Sequence, residues 1–383
     1  MKILFITEFF SPLSNPVFCG GVEARAVMVA KNLAVNHDIT VICRRRKSEM
    51  PLEKHAGITI IREKSVTESP AATILSLFVR IRFVAWATWV GLNQSGIDLI
   101  EGSNYVTFIP AMLIGFIKKI PKVSWYPDIL ISQWRQQFGL ILGLIGEICE
   151  RFFILLPWDR YITISESCQQ KLIDASIEKD KIDLVPCGVD IKFCLQFREK
   201  SQKENHFIIV SRLVKYKRVD WALYLLKAIE DDFPELRLIV IGDGPEKKHL
   251  KNLIKKLQLE TKIKIISNVF QSKLYLLIAN SQFLFHPSTI EGFGIVLVEA
   301  AALGTPFIAS DIPSSRMLSK QLGSGSVFKI NHFSVLVEKV REMLSDQSKL
   351  NQFQKNGIKN SLMLDWKDIA VKTEQVYKKL INN

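Results

Sequence analysis

The segment Pro287-Ser288-Thr289-Ile290-Glu291-Gly292-Phe293-Gly294-Ile295-Val296-Leu297-Val298-Glu299 sets two glutamates eight positions apart around a Gly-Phe-Gly turn. Gly292 and Gly294 let the backbone come close to a ligand and expose its N–H groups. The apolar run that follows reads as a helix whose positive end favours a phosphate or a sugar hydroxyl. Each carboxylate can accept a pair of vicinal hydroxyls, as on a hexose or a ribose. A plain strand–turn–helix connection with two solvated glutamates is the other reading of this segment taken alone.

Further stretches have the makings of an anion site. Ser211-Arg212-Leu213-Val214-Lys215-Tyr216-Lys217 leaves a strand and precedes a helix. This puts Arg212 and Lys217 at the carboxyl edge of a sheet, where a guanidinium fork and an ammonium suit a diphosphate. Ile241-Gly242-Asp243-Gly244-Pro245 ends the next strand and is expected to start a helix at Pro245. Gly242 and Gly244 either face a ligand or simply make a tight turn; the third glycine of a dinucleotide fingerprint is absent. Near the N-terminus Cys19-Gly20-Gly21-Val22-Glu23 opens a helix in a way that suits an anion.

These residues need sheets to hold them, and the apolar pattern supplies two. Strands are predicted near 2–7, 39–43, 58–62, 97–101, 122–126 and 160–164, with helices near 22–35, 71–92, 108–117, 140–156 and 166–175. The pattern restarts with strands near 206–211, 236–241, 262–266, 282–286 and 305–309. Alternation of this kind points to parallel sheets with helical crossovers. A chain of 383 residues suits two domains. The charged stretch from Arg198 to Asn205 reads as the linker neighbourhood.

Composition narrows the class. The six cysteines form no C-x-x-C pair and no His/Cys cluster, which argues against structural zinc and suits free thiols in a reducing cytoplasm. Met1 to Cys187 carries 21 Lys and Arg against 18 Asp and Glu, and the remainder 30 against 20. The basic second half suits a domain handling a polyanionic nucleotide, or merely solvated helix faces. No zinc finger, RNP-type strand or aromatic-interleaved basic run supports nucleic acid as a partner. The apolar stretches 71–92, 108–117 and 138–157 are each too short or too charged to span a bilayer. They read as buried crossover helices or as a peripheral contact with the inner face of a membrane, helped by Arg44-Arg45-Arg46-Lys47 and Lys118-Lys119.

In this order the pieces resemble glycosyltransferase family 4, the retaining glycosyltransferases of GT-B fold. Ile164-Ser165-Glu166-Ser167, Val185-Pro186-Cys187-Gly188-Val189-Asp190, Ala300-Ala301-Ala302-Leu303-Gly304-Thr305-Pro306 and Asp365-Trp366 add to the pattern, which covers nearly the whole chain. The resemblance implies an α/β architecture of two Rossmann-like domains facing a central cleft: 1–190 on the acceptor side, 191–364 holding the donor, and a last helix, 365–383, packing back on the first. It implies that Arg212 and Lys217 hold the nucleotide diphosphate as it leaves. Glu299 would accept the ribose hydroxyls and Glu291 a hydroxyl of the donor sugar. The N–H groups of Phe293 and Gly294 would touch that sugar, Gly242 and Gly244 would lie on the donor side, and Gly20 and Gly21 over the diphosphate or the acceptor.

One position departs from the family pattern. Where many members carry a histidine, this chain reads Trp125-Tyr126-Pro127-Asp128, with Pro127 at the expected place. Asp128 is the polar candidate there, as a catalytic group or as a helix N-cap. His286 reads as a packed strand-end residue, and Tyr105, Trp125, Tyr126 and Trp134 as core aromatics or an acceptor wall. The implied activity is transfer of a sugar from a nucleotide-diphosphate sugar to a hydroxyl of a glycan or lipid-linked glycan, with retention, in cell-surface or envelope glycan synthesis. With Arg212 and Lys217 at the diphosphate and no Asp-x-Asp at a strand end, no metal and no other cofactor are expected. A nucleotide-sugar epimerase, a phosphorylase, a glycosidase and a non-catalytic nucleotide-sugar-binding protein are the other readings.

Overall fold

The computed structural model describes the chain except residues 15, 17, 19, 48, 67–73, 136–138, 268 and 382–383; of residues 65, 66 and 74–77 only the backbone is described. Cys19 of the early glycine loop thus lies outside the described residues. The chain divides into two compact units, Met1–Cys187 with Trp366–Asn383, and Gly188–Asp365.

The first unit is built on β1 (Lys2–Ile6), β2 (Asp38–Arg45), β3 (Leu52–His55), β4 (Ile58–Val66), β5 (Leu99–Gly102), β6 (Lys122–Tyr126), β7 (Arg160–Thr163) and β8 (Ile182–Leu184). Their order across the sheet is β3-β4-β2-β1-β5-β6-β7-β8, and every pairing is parallel except β3 with β4. The central strands β1 and β5 are buried along nearly their whole length and are mostly apolar, as in a sheet covered by helices on both faces, with Glu101 the charged residue on β5. β3 was not expected: Leu52-Glu53-Lys54-His55 has no apolar run, and it survives as a short charged edge strand.

The second unit carries β9 (His206–Val210), β10 (Arg237–Ile241), β11 (Ile263–Ile266), β12 (Leu284–His286), β13 (Phe307–Ser310) and β14 (Gly325–Phe328). They are ordered β11-β10-β9-β12-β13-β14, all parallel. The order reverses between β9 and β12, and ligands collect outside the carboxyl ends of strands at such a switch point. The Arg212–Lys217 loop follows β9 and the Glu291 loop follows β12. Both therefore leave the sheet beside that switch point.

The units part at Cys187/Gly188 and Asp365/Trp366, not at 190/191 and 364/365, and the charged stretch 198–205 is no linker. Val189 pairs with Asp365 in an isolated parallel bridge, and the Val189 N–H donates to the Leu364 carbonyl at 2.8 Å. Both crossings are therefore pinned on the side of the second unit. Residues Ile191–Arg198 then form a helix of that unit, with Cys194 buried. Two further bounds moved for local reasons. The helix predicted at 108–117 runs Tyr105–Lys118, because Asn104 and Thr107 form a capping box three residues earlier. The helix expected to open at Pro245 runs Lys247–Lys256.

Candidate active site

In the second unit the β9 loop closes in a 3-10 turn, Lys215–Lys217, with Arg218 left-handed at its end (φ 47°). That turn is joined to the β12 loop by two hydrogen bonds to the Tyr216 carbonyl, from the Thr289 N–H at 2.8 Å and the Thr289 hydroxyl at 3.2 Å. Lys217 Nζ then donates to Glu291 Oε2 at 2.5 Å. His286, buried at the end of β12, brings Nε2 to 3.3 Å of the same oxygen. Ser314 Oγ donates to the Glu291 carbonyl at 2.9 Å, which fixes the backbone as well.

Charge is therefore fixed at this point. Burial works to raise the Glu291 carboxyl, but the Lys217 ammonium, with help from His286, outweighs it and holds the group well below the usual carboxylate range. Burial lowers His286 and the nearby Lys217 charge adds to that, against the pull of Glu291, so the imidazole is neutral at pH 7. His286 is buried, as expected of a strand-end residue, yet it sits directly on a candidate site residue. Sequence reasoning missed that contact because the two are joined only by the course of the Pro287–Ile290 loop.

Arg212 is exposed, and its Nη2 donates to the Tyr216 hydroxyl at 2.5 Å. Among the described residues it has no carboxylate partner, so its guanidinium charge is directed to solvent or to a ligand. The Gly242–Gly244 turn lies directly under it. A Cβ on Gly242 would stand 1.9 Å from the Ser211 carbonyl oxygen, and one on Gly244 2.4 Å from that of Leu213. Both glycines have positive φ, 150° and 156°. The Leu213 N–H donates to the Asp243 carbonyl at 2.9 Å, which ties the two loops together. The steric need for both glycines is thus close approach to the Ser211 and Leu213 backbone on either side of Arg212. Gly242→Ala is expected to destabilise the protein by several kcal/mol, about 3 or more, since backbone rather than a side chain must move. Thermal unfolding would show it as a drop of several degrees, and an unchanged midpoint would refute this account of the turn.

Gly294 is left-handed (φ 91°) and N-caps the helix Ile295–Ala302. Phe293 is buried beside it. Among the described residues the N–H groups of Phe293 and Gly294 meet no protein acceptor, as an anion-facing turn requires. On the same helix, the Glu299 carboxylate accepts from the Tyr275 hydroxyl at 3.0 Å. Burial pushes the Glu299 carboxyl up to about 7, with the Tyr275 bond pulling the other way. Tyr275 was not foreseen, and nothing in the sequence spacing points to it.

The candidates of the first unit are placed differently. Gly20 N-caps the helix Gly21–Leu33 in an extended conformation, and nothing lies within 4 Å of where its Cβ would be. Asp128, after β6, accepts from the Ile129 N–H at 2.8 Å and lies 3.5 Å from Lys171 Nζ. It caps no helix among the described residues. The four aromatics are mainly core, since Trp125 and Tyr126 are fully buried and Tyr105 packs edge-on to Phe108, Tyr126 and Trp134. The Arg44–Lys47 run is not an open basic patch. Arg44 pairs with Glu8 at 2.6 Å, and Arg46 forks onto Glu23 at 2.7 and 2.8 Å. Among the described residues no group of three or more His, Cys, Asp or Glu could hold a metal ion, and no helix is long and apolar enough to cross a membrane.

Two doubly wound parallel-sheet units of this kind define the GT-B fold. The sucrose-phosphate synthase of Thermosynechococcus elongatus superposes with a TM-score of 0.82 at 17% identity, over 100% of this chain and 99% of that one. Alr3699/HepE of Anabaena, solved in complex with UDP-glucose, gives 0.75 at 19% identity over the whole of both chains. Residues 19–193 match the model of Glycosyltransferase Family 4, and residues 192–360 that of glycosyl transferases group 1. The chain belongs to this glycosyltransferase family. Among curated proteins it is 22% identical to the phosphatidylinositol N-acetylglucosaminyltransferase gpi3 subunit of Schizosaccharomyces pombe, over 97% of this chain and 79% of that protein. Three streptococcal N-acetylglucosaminyltransferase GtfA subunits are matched over a third of their length or less.

Proposed function

We propose that this protein is a retaining, metal-independent glycosyltransferase that moves a sugar from a nucleotide-diphosphate sugar to a hydroxyl of a glycan or lipid-linked glycan. The observation that carries the reading is the meeting of Lys217, Glu291 and His286 beside the switch point, with the exposed Arg212 guanidinium on the same loop as Lys217. As the diphosphate departs, positive charge builds on the sugar ring and negative charge on the leaving oxygens. Arg212 and Lys217 stabilise the second, without needing a metal, and a carboxylate held ionised at Glu291 suits a donor-sugar hydroxyl. An ammonium has three N–H donors, and Glu291 occupies one of Lys217's. Structural relatives support a nucleotide donor, one being solved with UDP-glucose. The gpi3 relative supports a glycan or glycolipid acceptor, and envelope or surface glycan synthesis at the cytoplasmic face is the setting we propose.

Glu299 supplies the test. A carboxyl raised to about 7 is an acid that the empty site prefers protonated. Relative to an unfolded glutamate near 4.5, that costs the folded state stability as pH rises from about 4.5 through 7, on the order of 1–3 kcal/mol by pH 8. Glu299→Gln is therefore expected to raise the unliganded melting temperature at pH 8, with the gain vanishing towards pH 5. A panel of uridine, guanosine and adenosine diphosphates and their sugar conjugates, without metal, is expected to give one base that stabilises the wild type by roughly 2.7 kcal/mol at 100 times its dissociation constant. That shift should grow between pH 6 and 8, as the ribose hydroxyls meet an ionised carboxylate, and should be lost in Glu299→Gln. If no nucleotide shifts the protein, the donor site is absent and this reading fails, together with that of a non-catalytic nucleotide-sugar-binding protein. Product anomers of the same configuration as the donor, read by NMR, would establish retention.

A further inference from the structure

The helix Leu140–Ile154 of the first unit is built inside out. Its buried residues are Gly143, Glu150 and Ile154. A Cβ on Gly143 would stand 2.4 Å from the Arg135 Cα, and one on Gly146 2.4 Å from the Trp134 ring, so the glycine side is pressed onto the 134–135 segment. Glu150 locks the rotation of the helix. Its carboxylate accepts from the Tyr105 hydroxyl at 2.6 Å, from Trp134 Nε1 at 2.6 Å and from the Leu130 N–H at 3.0 Å. The large aliphatic side chains are thereby turned outward: Leu140, Ile141, Leu144, Ile145, Ile148 and Phe152 form one stripe and are each 42–73% exposed. A soluble monomer does not ordinarily leave a continuous face of this size to water.

The surroundings of the stripe say what covers it. The helix Tyr105–Lys118 packs against Leu140–Ile154 and ends in exposed Phe116 and Ile117, followed by Lys118 and Lys119. The helix Ile74–Leu92 packs on Tyr105–Lys118 in turn and shows Phe78 and Trp89. On these three helices and their flanks Arg80, Arg82 and Arg151 pair with Glu8, Glu63 and Glu147, so the basic rim is made by Lys118, Lys119 and Arg135, against the buried Glu150. Apolar side chains with a basic rim complement an anionic lipid surface. A second copy would set one basic rim against another. We propose that this face docks the protein on an anionic bilayer, with Leu140–Ile154 lying in the interface rather than crossing it.

The test is co-sedimentation of the full chain with vesicles of phosphatidylcholine containing about a third phosphatidylglycerol, at low salt. Wild type is expected to sediment, and more weakly with phosphatidylcholine alone. Ile145→Glu combined with Ile148→Glu should weaken binding about tenfold or more, since two exposed anchors become acidic. Lys118→Ala and Lys119→Ala should each cost about fivefold on anionic vesicles. All four positions lie outside the nucleotide site, so an unchanged melting temperature and nucleotide shift certify folding, and the inference stands or falls apart from the transfer reading. It is overturned if wild type stays in the supernatant, or if the double glutamate variant sediments as wild type does. It is equally overturned if wild type is a dimer that the double variant dissociates, which would assign the face to a second copy.

Discussion

Lys217→Ala is expected to lower turnover by about a hundredfold or more and to destabilise the second unit at the same time. The two effects have one cause. Lys217 is the cation that outweighs burial at Glu291, and His286 beside it is neutral. Without the ammonium, a mostly enclosed carboxylate loses its partner, which costs about 2 kcal/mol or more at neutral pH. The pH dependence follows from the sign of the shift. A carboxyl held below its unfolded value near 4.5 contributes stability that is present above that pH and lost as pH falls through the folded value. The gap between wild type and Lys217→Ala should therefore be widest near neutrality and close under acid conditions.

Arg212→Ala separates catalysis from stability. Arg212 is exposed, and its only described side-chain partner is the Tyr216 hydroxyl, so its removal should leave the melting temperature within about a degree or two. Turnover should still fall about a hundredfold, because the lost charge acts on the leaving diphosphate. Steady-state kinetics with the stabilising donor, beside thermal unfolding of both variants, would decide the matter. Wild-type turnover in either variant would remove that cation from the diphosphate assignment.

The sequence made the frame legible because it rests on local signals, and the candidate site residues were named from signals of the same kind. Apolar runs separated by helix-length segments report parallel strands, and glycines at strand ends report turns that approach another backbone. Gly242 and Gly244 show where that legibility ends. Their type announced a close approach, but whether a ligand or the Ser211 and Leu213 carbonyls stood opposite depends on a loop 31 residues earlier in the chain. Tyr275 on Glu299 and His286 on Glu291 were invisible for the same reason. The outward stripe of Leu140–Ile154 was hidden differently. Its hydrophobicity was plain, but a helix with large aliphatics is ordinarily read with those residues inward. Only the glycine contacts and the hydrogen bonds to Glu150 reverse that reading.

The largest expected loss of stability lies away from the donor side, where the last helix returns to the first unit. Arg25 is fully enclosed, forms a two-point ion pair with Glu101 on β5, and stacks its guanidinium 4.9 Å above the Trp125 ring. Tyr377, on the helix Trp366–Ile381, donates its hydroxyl to the second Glu101 oxygen at 2.5 Å and meets Phe5 edge-on. Burial works against the Arg25 charge, but Glu101 more than compensates and keeps it. A charge pair this deep is nearly neutral in net stability while whole and costly when halved. Arg25→Met should therefore cost about 3–5 kcal/mol by stranding Glu101, which for a unit of this size is a fall of roughly 10 °C in melting temperature. Tyr377→Phe should cost only about 1–2 kcal/mol, one hydrogen bond to a charged acceptor. Arg25→Met combined with Glu101→Leu should regain most of the loss, because it removes both charges and leaves apolar volume in their place. If the double variant is no more stable than Arg25→Met alone, the pair is not what holds β5 and the last helix together, and packing of Phe5 against Tyr377 must take that role.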